Sequence, residues 1–157
     1  MLARSRGFTL IEMLVVVAIV AMLAAAARPV LVLSAQRTKE FALRDALRQI
    51  RGAIDAYKRA ADAGQIGRAA DEIGYPRNLR ALVEGVPDIK SPTGGKLYFL
   101  RRLPRDPFAS PELPPEATWG LRASDSGPDE PRAGRDVYDV FTHAEGRALD
   151  GTEYQQW

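Results

Sequence analysis

The stretch from Phe8 to Ala27 constrains this chain most, because it holds one charged side chain, Glu12, among apolar residues. Twenty helical residues are about 30 Å long, which matches the hydrocarbon core of a bilayer. The sequence after Arg28 is polar enough to form a soluble domain. The pattern therefore predicts a membrane-directed N-terminal helix followed by one domain.

Three kinds of N-terminal segment share this pattern. Arg4 and Arg6, an apolar run and small residues up to Ala27 are typical of a secretory signal peptide. The same run is also typical of a membrane anchor that is never removed. In a third alternative the chain is cut before the run, between Gly7 and Phe8, and the run stays on the mature protein.

Glu12 distinguishes these alternatives. A carboxylate within a membrane helix costs roughly 2.5–3.5 kcal/mol near the bilayer centre and less near the interface. Cleavage after Gly7 would create an ammonium group on Phe8, one helical turn before Glu12. An uncleaved anchor can let a lone Glu reach the headgroups, but it provides no such cation. The spacing therefore favours cleavage between Gly7 and Phe8.

The run Gly7-Phe8-Thr9-Leu10-Ile11-Glu12 resembles the type III prepilin signal of type IV pilins and type II secretion pseudopilins. The resemblance implies that a prepilin peptidase cuts after Gly7 and methylates the new amine of Phe8. It also implies that Glu12 neutralises the N-terminal ammonium of an adjacent subunit during filament assembly. Pro29 stands where relatives often carry a helix-bending proline. The resulting domains are a leader at 1–7, a transmembrane and assembly helix at 8–28, and a periplasmic pilin-like domain at 29–157.

Beyond the apolar run, hydrophobic residues recur at steps of four and three, which places them on one face of a helix. They are Leu43, Leu47, Ile50, Ile54 and Tyr57. This face predicts one helix from Phe8 to about residue 61, ended by the segment 60–64. Strands are predicted at 96–101, 117–122 and 136–142, with a short helix after Pro76 and an exposed loop at 124–135. The expected fold is α+β and pilin-like, a long N-terminal helix packed on a small antiparallel sheet.

Three further motifs are similar to those of major pseudopilins of the G type: Tyr75-Pro76, the run from Leu100 to Phe108, and the run from Tyr138 to Thr142 that precedes Trp157. The resemblance implies a structural subunit of a type II protein secretion system. Such a subunit crosses the bacterial inner membrane once, has a periplasmic C-terminal domain and assembles into a periplasmic pseudopilus. Its expected partners are prepilin peptidase, itself and other pseudopilins, an inner-membrane assembly platform and membrane lipid.

G-type pseudopilins commonly hold a calcium ion in an Asp-rich C-terminal loop. Calcium takes about six to eight oxygen ligands, usually several of them carboxylates. Here the matching segment, 143–157, offers only Glu145, Asp150 and Glu153. We therefore predict no metal and no other cofactor, with a calcium ion as the alternative.

The composition favours neither catalysis nor nucleic-acid binding. The chain has no Cys and a single histidine, His143, and it contains no glycine-rich phosphate loop after a strand. We read Asp106 and Asp139 as hydrogen-bonding residues of a turn and a strand. The 22 basic and 20 acidic residues alternate without forming a patch. The sequence thus predicts a protein that is not an enzyme and does not bind nucleic acid.

Two alternatives stay open. The first is a subunit of a type IV pilus or DNA-uptake filament, although such pilins often end in a disulfide-bounded loop that a chain without Cys cannot form. The second, from a different class, is a soluble periplasmic binding protein released by signal peptidase. Its mature chain would begin at Arg28 instead of Phe8.

Overall fold

The structure is a computed structural model that describes residues 7–69 and 71–157, without the side chains of residues 26–30. The chain divides into two units, Met1–Thr38 and Lys39–Trp157. Helix α1, Leu10–Asp62, begins in the first unit and ends in the second. Among the described residues, the second unit holds all the other helices and strands.

Helix α1 ends where the sequence predicts. Gly64 has a φ of +69°, a left-handed conformation that glycine adopts without steric cost. The backbone N–H of Gln65 donates to the carbonyl of Ala60 at 2.9 Å, so a carbonyl of the last turn has a partner. The helix is assigned without interruption through Pro29, but the side chain of Pro29 lies outside the described residues. The bend expected at Pro29 stays a prediction.

The hydrophobic face of α1 forms the core of the second unit, as predicted. Leu43, Leu47, Ile50 and Ile54 are each no more than 2% exposed. They pack in one cluster with side chains from several parts of the domain, namely Leu79, Leu82, Trp119, Val137, Val140 and Tyr154. The long helix is thus packed on the small sheets of an α+β, pilin-like fold.

The remaining elements are short. Helix α2 spans Arg80–Glu84 and confirms the short helix predicted after Pro76. Strands β1, Val86–Pro87, and β2, Lys96–Leu97, pair antiparallel. Strands β3, Trp119–Arg122, and β4, Asp139–Thr142, form a second antiparallel pair in which Leu121 lies opposite Val140. Single 3-10 turns lie at Pro115–Thr118 and Tyr154–Gln156.

The strand predicted over residues 96–101 is wrong beyond Leu97. The backbone N–H groups of Phe99 and Leu100 both donate to the carbonyl of Leu82, at 3.0 and 2.9 Å, instead of to a neighbouring strand. In the described residues the strands therefore form two separate two-stranded sheets and not one sheet of three strands. The partner strand β1 was not predicted, because two residues are too short for a periodic signal.

The G-type motifs meet around β4. The carbonyl of Pro76 accepts the N–H of Val137 at 2.8 Å, just before the strand. Asp106 is 3% exposed; its carboxylate accepts the hydroxyl of Thr142 and the N–H of Phe108. Asp139 accepts a hydrogen bond from Arg51 at 2.7 Å. Asp106 and Asp139 therefore have the structural roles that the sequence predicts.

Asp106→Ala tests the bond between the turn and β4. The substitution leaves the fully buried hydroxyl of Thr142 without this partner, at a cost of about 2 kcal/mol. We expect the thermal unfolding midpoint of the detergent-solubilised full chain to fall by roughly 10 °C. Asp129→Ala, in the exposed loop, is the matched control and should leave the midpoint unchanged. Equal midpoints for the two variants would contradict the structural role of Asp106.

Candidate functional site

The predicted cleavage bond lies in an accessible part of the chain. Gly7, Phe8 and Thr9 precede the first residue of α1 and have no regular secondary structure. Phe8 is 73% exposed, and a Cβ placed on Gly7 would meet no other atom within 4 Å. A peptidase needs a reachable backbone, and both residues of the predicted cleavage bond are exposed. The roles of Gly7 and Phe8 in processing stay predictions.

Thr9 sets the start of α1 and was missed by the sequence reasoning. Its hydroxyl oxygen accepts the backbone N–H of Glu12 at 3.2 Å, and its carbonyl accepts the N–H of Met13. Thr9-Leu10-Ile11-Glu12 fits the Ser/Thr-x-x-Glu pattern that is typical of helix N-termini, and this signal was available in the sequence. The helix therefore begins at Leu10, two residues later than predicted.

Glu12 lies in the first turn of α1, on the surface of the first unit. The unpaired N–H groups of a helix N-terminus carry partial positive charge, so a carboxylate is favourable there. This gives Glu12 a local electrostatic reason for its position, in addition to the ammonium that cleavage would create. The assembly role of Glu12 stays a prediction.

The described apolar side chains in the first part of α1 are exposed. Every described side chain from residue 7 to residue 25 is exposed, including Leu10 at 83% and Met22 at 72%. Exposed apolar area of this extent marks a surface that lipid or another protein covers. Within the described ranges, no helix reaches both the length and the hydropathy of a membrane-crossing segment.

The segment 143–157 lies against α1 in the second unit through a buried carboxylate. Glu40 is 8% exposed and accepts the N–H of Leu149 at 3.0 Å and the hydroxyl of Tyr154 at 2.9 Å. Tyr154 in turn packs against Phe108, with ring centroids 4.7 Å apart. The segment is thus fixed at two points, one on its backbone and one on a side chain.

Arg44, one turn after Glu40, contacts the middle and the end of the same segment. Its guanidinium forms an ion pair with Asp150, and its Cζ atom lies 4.0 Å from the ring centroid of Trp157. Asp150 also accepts the N–H and the hydroxyl of Thr152, at 3.0 and 2.6 Å. The indole N–H of Trp157 donates to that same hydroxyl oxygen at 2.6 Å. These contacts close a ring through the segment.

Arg51, two turns after Arg44, holds the segment to β4. Its guanidinium donates to the carboxylate of Asp139 at 2.7 Å, to the carbonyl of Val140 at 3.0 Å and to the backbone oxygen of Trp157 at 2.6 Å. Asp139 also accepts Arg122, at 3.2 Å. Arg51 is half-buried, so these charge-assisted bonds are partly shielded from water.

The carboxylates of this segment do not fit a calcium site in the arrangement described. Asp150 faces Arg44, and Glu153 pairs with Arg147 at 3.4 Å, so two of the three candidate ligands already face a guanidinium. In the described part of the chain, no three Asp, Glu or His side chains cluster closely enough to hold a metal ion. His143 is exposed and contacts the ring of Phe141, 5.6 Å between centroids.

Comparisons with known proteins identify the family. Residues 2–27 match the model of the prokaryotic N-terminal methylation motif. The chain is 33% identical over 114 residues to the type II secretion system core protein G of Klebsiella pneumoniae, which covers 68% of this chain and 71% of that protein. It is also 33% identical over 115 residues to the core protein G of Pseudomonas aeruginosa, covering 67% and 69%. The chain belongs to the type II secretion system core protein G family.

Membership in the core protein G family confirms the resemblance read from the motifs. The chain is a major pseudopilin, a subunit of a type II secretion system. The methylation motif includes Gly7, Phe8 and Glu12 within its match. No solved structure matches the chain significantly.

The pH dependence of stability tests the contacts of Asp150. Hydrogen bonds from Thr152, with a further contribution from Arg44, hold the pKa of Asp150 below its usual value. A carboxyl group whose pKa is lowered by folding stabilises the protein above its unfolded pKa of about 3.9, and that stabilisation is lost as the pH falls through the folded pKa. Asp150→Asn should therefore unfold at a lower temperature than the parent at neutral pH, and the difference should shrink as the pH falls below about 3.9.

Circular dichroism melts of the two proteins across this pH range provide the measurement. Asp125→Asn, in the exposed loop, is the control and should track the parent at every pH. A difference between Asp150→Asn and the parent that stays constant down to the lowest pH would contradict the assigned contacts.

Proposed function

We propose that this chain acts as a non-catalytic building block of a periplasmic pseudopilus, stored in the inner membrane before assembly. The observation that carries the proposal is the uncovered apolar surface of α1 over residues 10–25. A surface of this kind requires lipid before assembly and neighbouring subunits afterwards. Growth of such a filament would push folded proteins towards an outer-membrane pore.

Processing would precede assembly. A prepilin peptidase would cut the exposed bond after Gly7 and methylate the amine of Phe8. The cut removes the basic leader with Arg4 and Arg6, and it leaves a cation two residues before α1 begins. The accessibility of Gly7 and Phe8 and the match to the methylation motif support this step.

Glu12 would then guide each new subunit into the filament. Its carboxylate lies on the exposed surface of the first turn of α1. Once lipid or other subunits cover that surface, the carboxylate would lie in an apolar environment. An unpaired charge in such surroundings is costly, so an ammonium from a neighbouring Phe8 would be strongly favoured as a partner. Charge neutralisation would therefore set the axial register between adjacent subunits.

The mature N-terminus tests the processing step. The chain purified from membranes of cells that contain a prepilin peptidase should begin at Phe8 and carry one added methyl group, as determined by intact-protein and N-terminal peptide mass spectrometry. A Gly7 variant such as Gly7→Val should keep its leader, while Gly52→Ala, at an exposed position of α1, should be processed normally. A soluble chain that begins at Arg28 would overturn the proposal.

Glu12→Gln tests the neutralisation step, because it removes the charge and keeps the shape. We expect normal membrane insertion and normal cleavage, with a loss of at least tenfold in pseudopili sheared from cells that overproduce the subunit, which corresponds to about 1.4 kcal/mol of lost assembly free energy.

Glu12→Asp retains the charge and is the matched control, which should recover most of the filament yield. Glu84→Gln removes an exposed carboxylate of the second unit and should assemble like the parent. A normal filament yield from Glu12→Gln would contradict the proposal that Glu12 neutralises the ammonium of Phe8, but it would not affect the assignment as a pseudopilin.

A further inference from the structure

The segment 143–157 corresponds to the loop in which G-type pseudopilins hold calcium, yet its own polar groups face cations from this chain. The carboxylate of Asp150 forms an ion pair with Arg44, and the carboxylate of Glu153 forms an ion pair with Arg147. The guanidinium of Arg51 donates a hydrogen bond to the backbone oxygen of Trp157. Calcium binding depends on several carboxylate and carbonyl oxygens that converge on one point, and here these oxygens converge on guanidinium groups instead.

Three polar residues of α1 that hold the segment lie on one side of the helix. Glu40, Arg44 and Arg51 are spaced by four and seven residues, which returns each to nearly the same angular position. Glu40 binds the segment at Leu149 and Tyr154, Arg44 at Asp150 and Arg51 at Trp157. Helix α1 thus contacts most of the second half of the segment 143–157.

Guanidinium is well suited to this task. Its flat face stacks on an aromatic ring while its edge donates to a carboxylate, a combination that an ammonium group or a spherical metal ion cannot reproduce. Arg44 makes both contacts at once, with the indole of Trp157 on its face and Asp150 at its edge. The hydroxyl of Thr152 then joins the carboxylate and the indole N–H.

We propose that Arg44, supported by Arg51, takes the structural place of a calcium ion in this protein, so that the segment 143–157 folds onto α1 without any divalent cation. The positive charge that orders the segment is supplied from within the chain, by the helix that also forms the core. The inference concerns the folding of the domain and stands independently of how the subunit enters a filament.

The first experiment compares thermal unfolding of the detergent-solubilised full chain in excess calcium chloride, in excess magnesium chloride and in excess EDTA. We expect the same midpoint in all three, and no heat of calcium binding in a titration. A midpoint that rises with calcium over magnesium and falls with EDTA would overturn the proposal.

The second experiment replaces the cation. Arg44→Ala should lower the midpoint by about 5 °C and make the segment after Ala148 more susceptible to limited proteolysis. Arg44→Lys keeps the charge but lacks the flat face that stacks on Trp157. Its unfolding midpoint should lie between those of Arg44→Ala and the parent. Arg48→Ala is the matched control, because Arg48 lies one turn further along α1, is exposed and pairs with Asp45 of the same helix.

If Arg44→Ala and Arg48→Ala have the same unfolding midpoint and the same rate of proteolysis, the proposed role of Arg44 is wrong. If Arg44→Ala proves too unstable to purify, the comparison of Arg44→Lys with the parent and the cation comparison on the parent still decide the proposal. The unfolding and proteolysis readouts do not depend on secretion or filament yield, so a failure here is distinguishable from a failure of the pseudopilus assignment.

Discussion

The second unit depends on the burial of one face of α1. Each of the large aliphatic side chains on that face, from Leu43 to Ile54, contributes about 1.5–3 kcal/mol by leaving water. The described strands that pack near it form two sheets of two strands each, and an isolated pair of strands is only marginally stable in water. The helix therefore provides the surface on which the short strands and turns become ordered.

The same helix begins with a surface of the opposite kind. From Leu10 to Leu23 its apolar side chains are exposed. One continuous element thus has two different parts: its later part forms the core of a folded domain, and its earlier part presents an exposed apolar surface. This division explains how a subunit of the core protein G family can be both a stable domain and a component of an assembly.

Polar contacts along α1 add a second layer to the core. Glu40, Arg44 and Arg51 lie beside the buried face and hold the segment 143–157 through hydrogen bonds and stacking. The partly buried bonds of Arg51 contribute more than the exposed ion pair between Arg44 and Asp150, because water and salt screen them less. A segment with little regular structure is therefore ordered by a helix distant in sequence.

Local patterns in the sequence were sufficient to predict much of the fold and the class of protein. The apolar run with Glu12 predicted the class of protein, the spacing from Leu43 to Tyr57 predicted the helix, and the strand patterns at 117–122 and 136–142 predicted one strand pair, because each depends on residues close together in the sequence. The Thr9 cap was equally local and was overlooked. The end of β2 at Leu97 was not predictable in this way, because it depends on the carbonyl of Leu82 as a competing acceptor.

The sequence by itself determined that the chain carries an apolar helix with a carboxylate near its start, followed by a domain built on one helical face. Both follow from side-chain polarity and from the 3.6-residue period of the helix. Only the tertiary structure decided which partners the polar residues take. Arg44 belongs to no motif in the sequence, and it lies against Asp150 and Trp157 because folding brings residues more than a hundred positions apart into contact.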